Sequence, residues 1–311
     1  MADHESYYVP EQSKLPLLLA TTVAVMIVGA AGGFNAATFD SGNGSLSWYL
    51  CIAGFIGFCS VLFVWFSTAI KENRVGLNSA QLKRSYVIGM YWFIFSEVMF
   101  FACFFGVLFY VRNLSGPWLA GEGSNFETGK QLWDGFVYSW PPEVTPQQAV
   151  GLANQIPANT GTFSSSEQQM PLLLAAVNTV LLLTSSVTCH FAHTAIKNNA
   201  RGKFNAFLGA TLILGFTFVA VQAYEYYEAY AHLGLTLESG IYGSTFFILT
   251  GFHGFHVCLG AIMLSVQWLR SMTKGHFSDT DQFGFEASSW YWHFVDVVWL
   301  FLFAAIYIWG S

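Results

Sequence analysis

Ionisable side chains stand inside the most apolar stretches of this sequence. Glu97 lies in YVIGMYWFIFSEVMFFACFF, His253 and His256 lie in GSTFFILTGFHGFHV, and Glu286, His293 and Asp296 lie in FGFEASSWYWHFVDVVWLFLFAAIYIW. Side chains of these types in apolar surroundings are candidate proton carriers, metal ligands or polar contacts between helices. Their spacing indicates which of these chemistries is available.

The histidine spacing does not favour a haem or metal site. A di-haem cytochrome needs paired histidines on facing helices at two depths, whereas His253 and His256 form one pair on one helix. A carboxylate-bridged di-metal site needs repeated Glu-x-x-His tetrapeptides, which the sequence lacks. We therefore interpret both histidines as hydrogen-bonding groups between helices. Three further groups are interpreted as buried polar contacts of the last helix: Glu286, His293 and Asp296.

Glu97 has two interpretations that the residues leave open. It follows Tyr86 by a helical rise of about 16 Å, which places it near the midplane of a hydrocarbon core about 30 Å thick. A carboxyl group at that depth could relay protons or react with carboxyl reagents. Alternatively, it is a protonated acid that is hydrogen-bonded to a Ser, Tyr or His of a neighbouring helix.

The composition predicts an integral membrane protein of the all-α class. Hydrophobic residues make up 54% of the 311 and charged residues only 10%, far from a soluble average. Seven segments reach spanning length, and no strand alternation suggests a barrel. They are Pro16–Phe34, Trp48–Ile70, Tyr86–Tyr110, Pro171–His190, Phe204–Tyr224, Tyr242–Trp268 and Ser288–Trp309. No basic tract suggests nucleic acid, and Gly29 and Gly33 form a GxxxG packing motif in the first segment.

The basic residues predict the orientation. Ten of the twelve Lys and Arg residues fall at the N-terminus or in the loops after the second, fourth and sixth segments. Only Arg112 and Lys130 lie on the other side. Since positive loops stay on the cytoplasmic side, the N-terminus is expected inside and the C-terminus outside.

The predicted organisation contains one disproportionate loop. It comprises a cytoplasmic tail (1–15), helices one and two (16–70), a cytoplasmic loop (71–85), helix three (86–110), a long outer loop (111–169) and helices four to seven (170–311). The long loop carries Trp118, Trp133 and Trp140 but no chemical motif, so partner contact and a simple cap both remain open. Glu225 and Glu228 are expected at the outer membrane interface.

Four motifs resemble subunit III of the haem-copper cytochrome c oxidases, of the bacterial type. They are FSEVMFF around Glu97, EYYEAY at 225–230, GSTFFILTGFHGFHV at 243–257 and FGFEASSWYWHFVDVVWLFLF at 283–303. The resemblance implies helices one and two in one group and three to seven in another, with phospholipids filling a V-shaped cleft between them. It implies that Glu97 is the family's carbodiimide-reactive carboxylate. It also places four residues where the family holds lipid: Trp65, Glu72, Phe93 and Arg270.

The resemblance implies a non-catalytic subunit without haem, copper or other metal of its own. The redox centres would lie in subunits I and II, and the chain would stabilise subunit I and support proton uptake into its D pathway. Subunit I would be the main contact, with subunit II and a small subunit IV as further partners and cytochrome c as donor to the complex. A bacterial inner membrane is expected rather than the mitochondrial one. The alternatives are subunit III of a quinol oxidase and, from a different class, a proton-coupled transporter that uses Glu97.

Overall fold

A computed structural model describes residues 12–39, 43–142, 146–150, 169–237, 239–277 and 282–309. The predicted tail up to residue 11 and residues 151–168 of the predicted outer loop lie outside the described residues. The described chain forms these α-helices: α1 Leu15–Phe39, α2 Gly44–Val75, α3 Ala80–Tyr110, α4 Gly116–Leu119, α5 Phe126–Leu132, α6 Pro146–Val150, α7 Gln169–Lys197, α8 Arg201–Ala231, α9 Gly240–Lys274 and α10 Phe283–Leu302.

The prediction of an all-α protein with seven spans is confirmed. Seven helices are long and apolar enough to cross a membrane, and the described residues contain no strand. The helices extend beyond the predicted spans, because α2 continues to Val75 and α3 begins at Ala80. Only residues 76–79 therefore separate these two helices, where the sequence predicted a loop over 71–85. Gly76 ends α2 with φ at +82°, a left-handed conformation that glycine adopts without strain.

The described residues up to Gly89 form one compact unit in which α1 packs closely against α2. Gly29 and Gly33 of the predicted GxxxG motif are both buried. A Cβ atom at Gly29 would overlap the backbone of Cys51, and one at Gly33 would lie 2.7 Å from the Trp48 ring. Small residues thus let the two backbones approach, which is how apolar helices gain packing contacts where lipid supplies no hydrophobic driving force.

The described residues from Met90 onward form a second compact unit built around Trp292 of α10. This side chain is fully buried, and it fits against glycines of two other helices. A Cβ atom at Gly215 of α8 would lie 2.6 Å from its ring, and one at Gly260 of α9 would lie 2.9 Å away. Its Nε1–H donates to Ser185 Oγ of α7 at 3.0 Å. One indole therefore fixes the spacing of four helices.

Residues 111–142 fold back onto the ends of the helices of this second unit. A π-helical turn, Val111–Ser115, continues α3 into α4. The Tyr138 ring occupies the space beside Gly116, and its hydroxyl donates to the Arg112 carbonyl at 2.7 Å. Trp140 packs edge-on against Tyr242 of α9, with 5.6 Å between ring centroids. This part of the predicted loop is a folded cap.

Candidate functional site

The structure places Glu97 of α3 against His256 of α9. Glu97 Oε2 lies 2.7 Å from His256 Nε2, a short hydrogen-bond distance. The His256 side chain is 7% exposed and that of Glu97 is 21% exposed. The acid predicted near the midplane therefore has its hydrogen-bond partner on another helix of the same chain.

The backbone fixes the hydrogen-bonding role of His256. Its Nδ1–H donates to the carbonyl of Phe252, one turn earlier on α9, at 2.6 Å. Nε2 is consequently left for Glu97, and a single proton lies between the two side chains. The pair is either a neutral acid with a neutral imidazole or an imidazolium with a carboxylate. In both forms its net charge is zero, which is the arrangement that a low-dielectric surrounding favours.

His253, one turn from His256, makes a separate contact. It is completely buried, and its Nε2–H donates to the Val295 carbonyl of α10 at 3.2 Å. Its ring packs against Trp299 of α10 and Phe218 of α8, with centroids 5.1 and 5.7 Å away. The two histidines therefore link α9 to two different helices and do not converge on one ligand.

Glu286, His293 and Asp296 line the contact of α10 with α7. Glu286 Oε1 lies 3.1 Å from Nε2 of His193, and His293 Nδ1 lies 2.8 Å from Ser186 Oγ. The same His293 nitrogen is 3.5 Å from the buried Asp296 carboxylate. Their partners on α7, Ser186 and His193, are seven residues apart, which is about two helical turns. These groups therefore form a polar seam along the contact between α7 and α10.

Glu225, which the sequence predicts at the outer membrane interface, is buried within the protein. The residue is 3% exposed, and Tyr307 donates its hydroxyl hydrogen to Glu225 Oε1 at 2.6 Å. The two residues are 82 positions apart, so local sequence gave no sign of the partner. His193 and Ser186 were likewise missed as partners, although their seven-residue spacing, which equals that between Glu286 and His293, was a usable signal.

In the part of the chain that the structure describes, no three His, Cys, Asp or Glu side chains come together to hold a metal ion. Most of the polar groups above form separate pairs between neighbouring helices, whereas Asp296 lies beside His293 of its own helix. This arrangement can fix helix contacts and hold protons locally.

The sequence is similar to known membrane proteins along most of its length. The family described as "Cytochrome c oxidase subunit III" matches residues 5–122 and 144–311. The chain belongs to this family. Proteins named "Cytochrome c oxidase subunit 3" from Carassius auratus, Struthio camelus and Oryctolagus cuniculus are 36%, 35% and 34% identical to it over 307 residues, covering 98% of both chains in each case.

Membership of the cytochrome c oxidase subunit III family shows what kind of protein contains these polar pairs. The chain is a multi-pass membrane subunit of an oxidase, within a complex of other oxidase subunits. Subunit III has no redox centre of its own. Glu97, His256 and the α7–α10 seam therefore lie in a subunit that does not carry the oxygen chemistry. Residues 123–143 lie outside the family match.

Replacement of Glu97 by Leu should destabilise the subunit more than replacement by Gln. Gln can donate to the free Nε2 of His256, whereas Leu leaves that nitrogen without a partner in an apolar surrounding. Interhelical hydrogen bonds in membranes are worth about 0.6 kcal/mol on average and about 1–2 kcal/mol at most. Thermal inactivation of the purified oxidase should therefore follow the order native, Gln variant, Leu variant. Equal midpoints for the Gln and Leu variants would contradict the assigned hydrogen bond.

Proposed function

We propose that the chain is a structural, non-catalytic subunit of a proton-pumping terminal cytochrome c oxidase. Its proposed roles are to stabilise subunit I, to retain phospholipids and to support proton uptake into the D pathway. The observation that carries the proposal is the pairing of the ionisable groups within the chain. Glu97, His253 and Glu286 each contact a group on a neighbouring helix, so their geometry suits helix contacts better than a substrate pathway.

The unbroken course of α3 favours this role over a proton-coupled transporter. Transporters commonly bind their substrates at discontinuous helices near the midplane. Here α3 is continuous from Ala80 to Tyr110 on both sides of Glu97.

Seven spans also favour the cytochrome c branch of the oxidases over the quinol branch, because well-known quinol enzymes place their first two helices in another subunit. Subunits I and II are the proposed neighbours, with a small subunit IV as a further partner.

We propose a bacterial inner membrane as the location, with the N-terminus in the cytoplasm. The basic residues support this orientation because they gather where α2 meets α3, where α7 meets α8 and at the end of α9. Residues 123–143 lie outside the family match, in the part of the chain that is expected on the outer side.

The proposed lipid contacts are Trp65 and Glu72 in the first unit and Phe93 and Arg270 in the second. In the first unit Trp65 is 37% exposed, as expected of an indole against lipid, and Glu72 is half-buried. In the second unit Phe93 stacks on Tyr291, with centroids 5.8 Å apart. Arg270 Nη1 donates to Gln267 Oε1 at 2.8 Å, and its guanidinium lies 4.6 Å from the Phe277 ring centre. These contacts orient a cation at the end of α9, where it can pair with a phosphate group.

Purification from the native membrane tests the proposed assembly. Mild detergent extraction should bring this chain down together with two larger subunits that carry haem and copper. The complex should oxidise reduced cytochrome c, and removal of this chain should slow proton uptake during turnover. A chain that purifies alone would overturn the proposed assembly. A complex that accepts electrons only from a quinol would overturn the assignment to the cytochrome c branch.

Substitution of Arg270 by Ala should lower the phospholipid retained by the purified complex. The guanidinium supplies both charge and hydrogen bonds to a phosphate, and Ala supplies neither. Lys274→Ala is the matched control, because it removes the same charge from an exposed position one turn further along α9. Phosphorus per haem should fall in the first variant and stay constant in the second. Equal phosphorus content in both variants and the native complex would refute the Arg270 contact.

A further inference from the structure

Three polar side chains of α10 lie on one accessible face of this helix. Glu286, Trp290 and His293 are spaced by four and three residues, so they share one side of the helix. The side chain of His293 is 38% exposed, that of Glu286 is 24% exposed, and Trp290 is half-buried. We call these three residues the α10 stripe. Val297 and Phe301 continue the same face toward the end of the helix, and both are exposed.

Each residue of the α10 stripe has an accessible polar atom without a partner. His193 contacts Glu286 Oε1, and Ser186 contacts His293 Nδ1. Among the described residues, nothing forms a hydrogen bond with Glu286 Oε2, with His293 Nε2 or with the indole N–H of Trp290. These three atoms are not buried either, so a group from outside the chain can reach them.

The α10 stripe reaches the depth of the hydrocarbon core. His293 lies about 15 Å along α10 from its first residue, Phe283, and near the centre of the spanning segment Phe283–Ile308. The core is about 30 Å thick, so His293 lies near its middle. Ionisable side chains at that depth almost always face protein or water, because an unpaired polar group in hydrocarbon is costly. Acyl chains alone are therefore a poor cover for this face.

Other exposed polar groups of the bundle satisfy their hydrogen bonds within their own helix. The hydroxyl of Thr184 on α7 donates to the carbonyl of Val180 at 2.7 Å, and that of Thr217 on α8 donates to the carbonyl of Ile213 at 2.8 Å. Such side chains can face lipid without leaving a donor unpaired. The outer nitrogen atoms of the α10 stripe have no such bond, so this face needs a hydrogen-bonding neighbour.

The side chains of the α10 stripe are held in position by contacts with α3 and α7. Trp290 stacks on Tyr91 of α3, with 5.2 Å between ring centroids and 12° between ring planes. Glu286 and His293 are held by their contacts in the polar seam with α7. Side chains that are already fixed lose little freedom when a partner binds, and Trp is prominent among the residues that dominate protein interfaces. The α10 stripe is thus suited to a specific protein contact.

We propose that the α10 stripe is the contact surface for a membrane-spanning helix of another oxidase subunit. The partner helix supplies a cation or donor to Glu286, an acceptor to the indole N–H of Trp290 and a hydrogen-bonding group to His293. It is apolar where it meets Val297 and Phe301. The inference rests on the proposed function, because it requires that the chain be part of an oxidase complex, and it specifies the face of this subunit that meets the neighbour.

Photo-cross-linking in the intact oxidase complex tests the inference. Replacement of Phe301 by p-benzoylphenylalanine puts a photoreactive ring on the same face and leaves the α10 stripe unchanged. Illumination should join this position to a membrane helix of another subunit. The same replacement at Phe216, which is 51% exposed on α8, is the control and should not label that helix.

The outcomes separate this inference from the proposed function. An intact complex in which position 301 labels only lipid, or only α1 or α2 of the same chain, would overturn the docking surface and leave the proposed function standing. Equal labelling of the same partner helix from positions 301 and 216 would also overturn the docking surface. A chain that purifies without other subunits would instead overturn the proposed function.

Trp290→Phe tests the contribution of the indole N–H. Phe keeps a ring that can stack on Tyr91, so the fold should persist, but it cannot donate to the partner helix. Detergent should release the variant chain from the complex about threefold faster than native, which corresponds to an average membrane hydrogen bond of about 0.6 kcal/mol. Trp92→Phe is the matched control, because Trp92 is 67% exposed on α3 and lies outside the stripe. Equal release rates for the two variants would contradict the inference.

Discussion

The cost of an unpaired polar group in hydrocarbon determines how this chain is arranged. Water cannot supply hydrogen bonds at membrane depth, so ionisable side chains there are stabilised by partners within the protein. Glu97 meets His256, Glu286 meets His193, and Tyr307 meets Glu225. Each contact also fixes how two helices are rotated relative to each other. Apolar packing cannot do this as selectively, because one apolar helix face resembles another.

Trp292 illustrates how packing and hydrogen bonding act together in the second unit. Gly215 and Gly260 leave the space that its ring fills, and Ser185 accepts its N–H. Lipid is as apolar as the helices, so close contact and hydrogen bonds hold them together. The contacts of Trp292 and the polar seam along α7 and α10 involve the same two helices. A change at one of these sites would disturb both kinds of contact.

Much of the fold follows from the sequence, but the partners of the polar groups do not. The seven spans are visible because about twenty apolar residues are needed to cross a bilayer. Gly29 and Gly33 were correctly read as packing positions, since their four-residue spacing puts them on one face. For Glu97 the sequence predicted a Ser, Tyr or His of a neighbouring helix as one possible partner, but it could not identify His256, because that contact depends on how α9 is rotated 159 residues away. The fold of the cap was missed for a related reason: its helices are short and stabilised by contacts with distant residues such as Tyr242.

The central claim is that the ionisable groups of this subunit hold helices together and do not take part in the oxygen chemistry. Steady-state oxygen consumption by a fully assembled oxidase that carries Glu97→Gln tests it most directly. Gln keeps the size and the hydrogen bond of Glu97 but cannot exchange a proton. The account predicts turnover close to that of the native complex. Loss of most of the activity, with haem content and subunit composition unchanged, would contradict it.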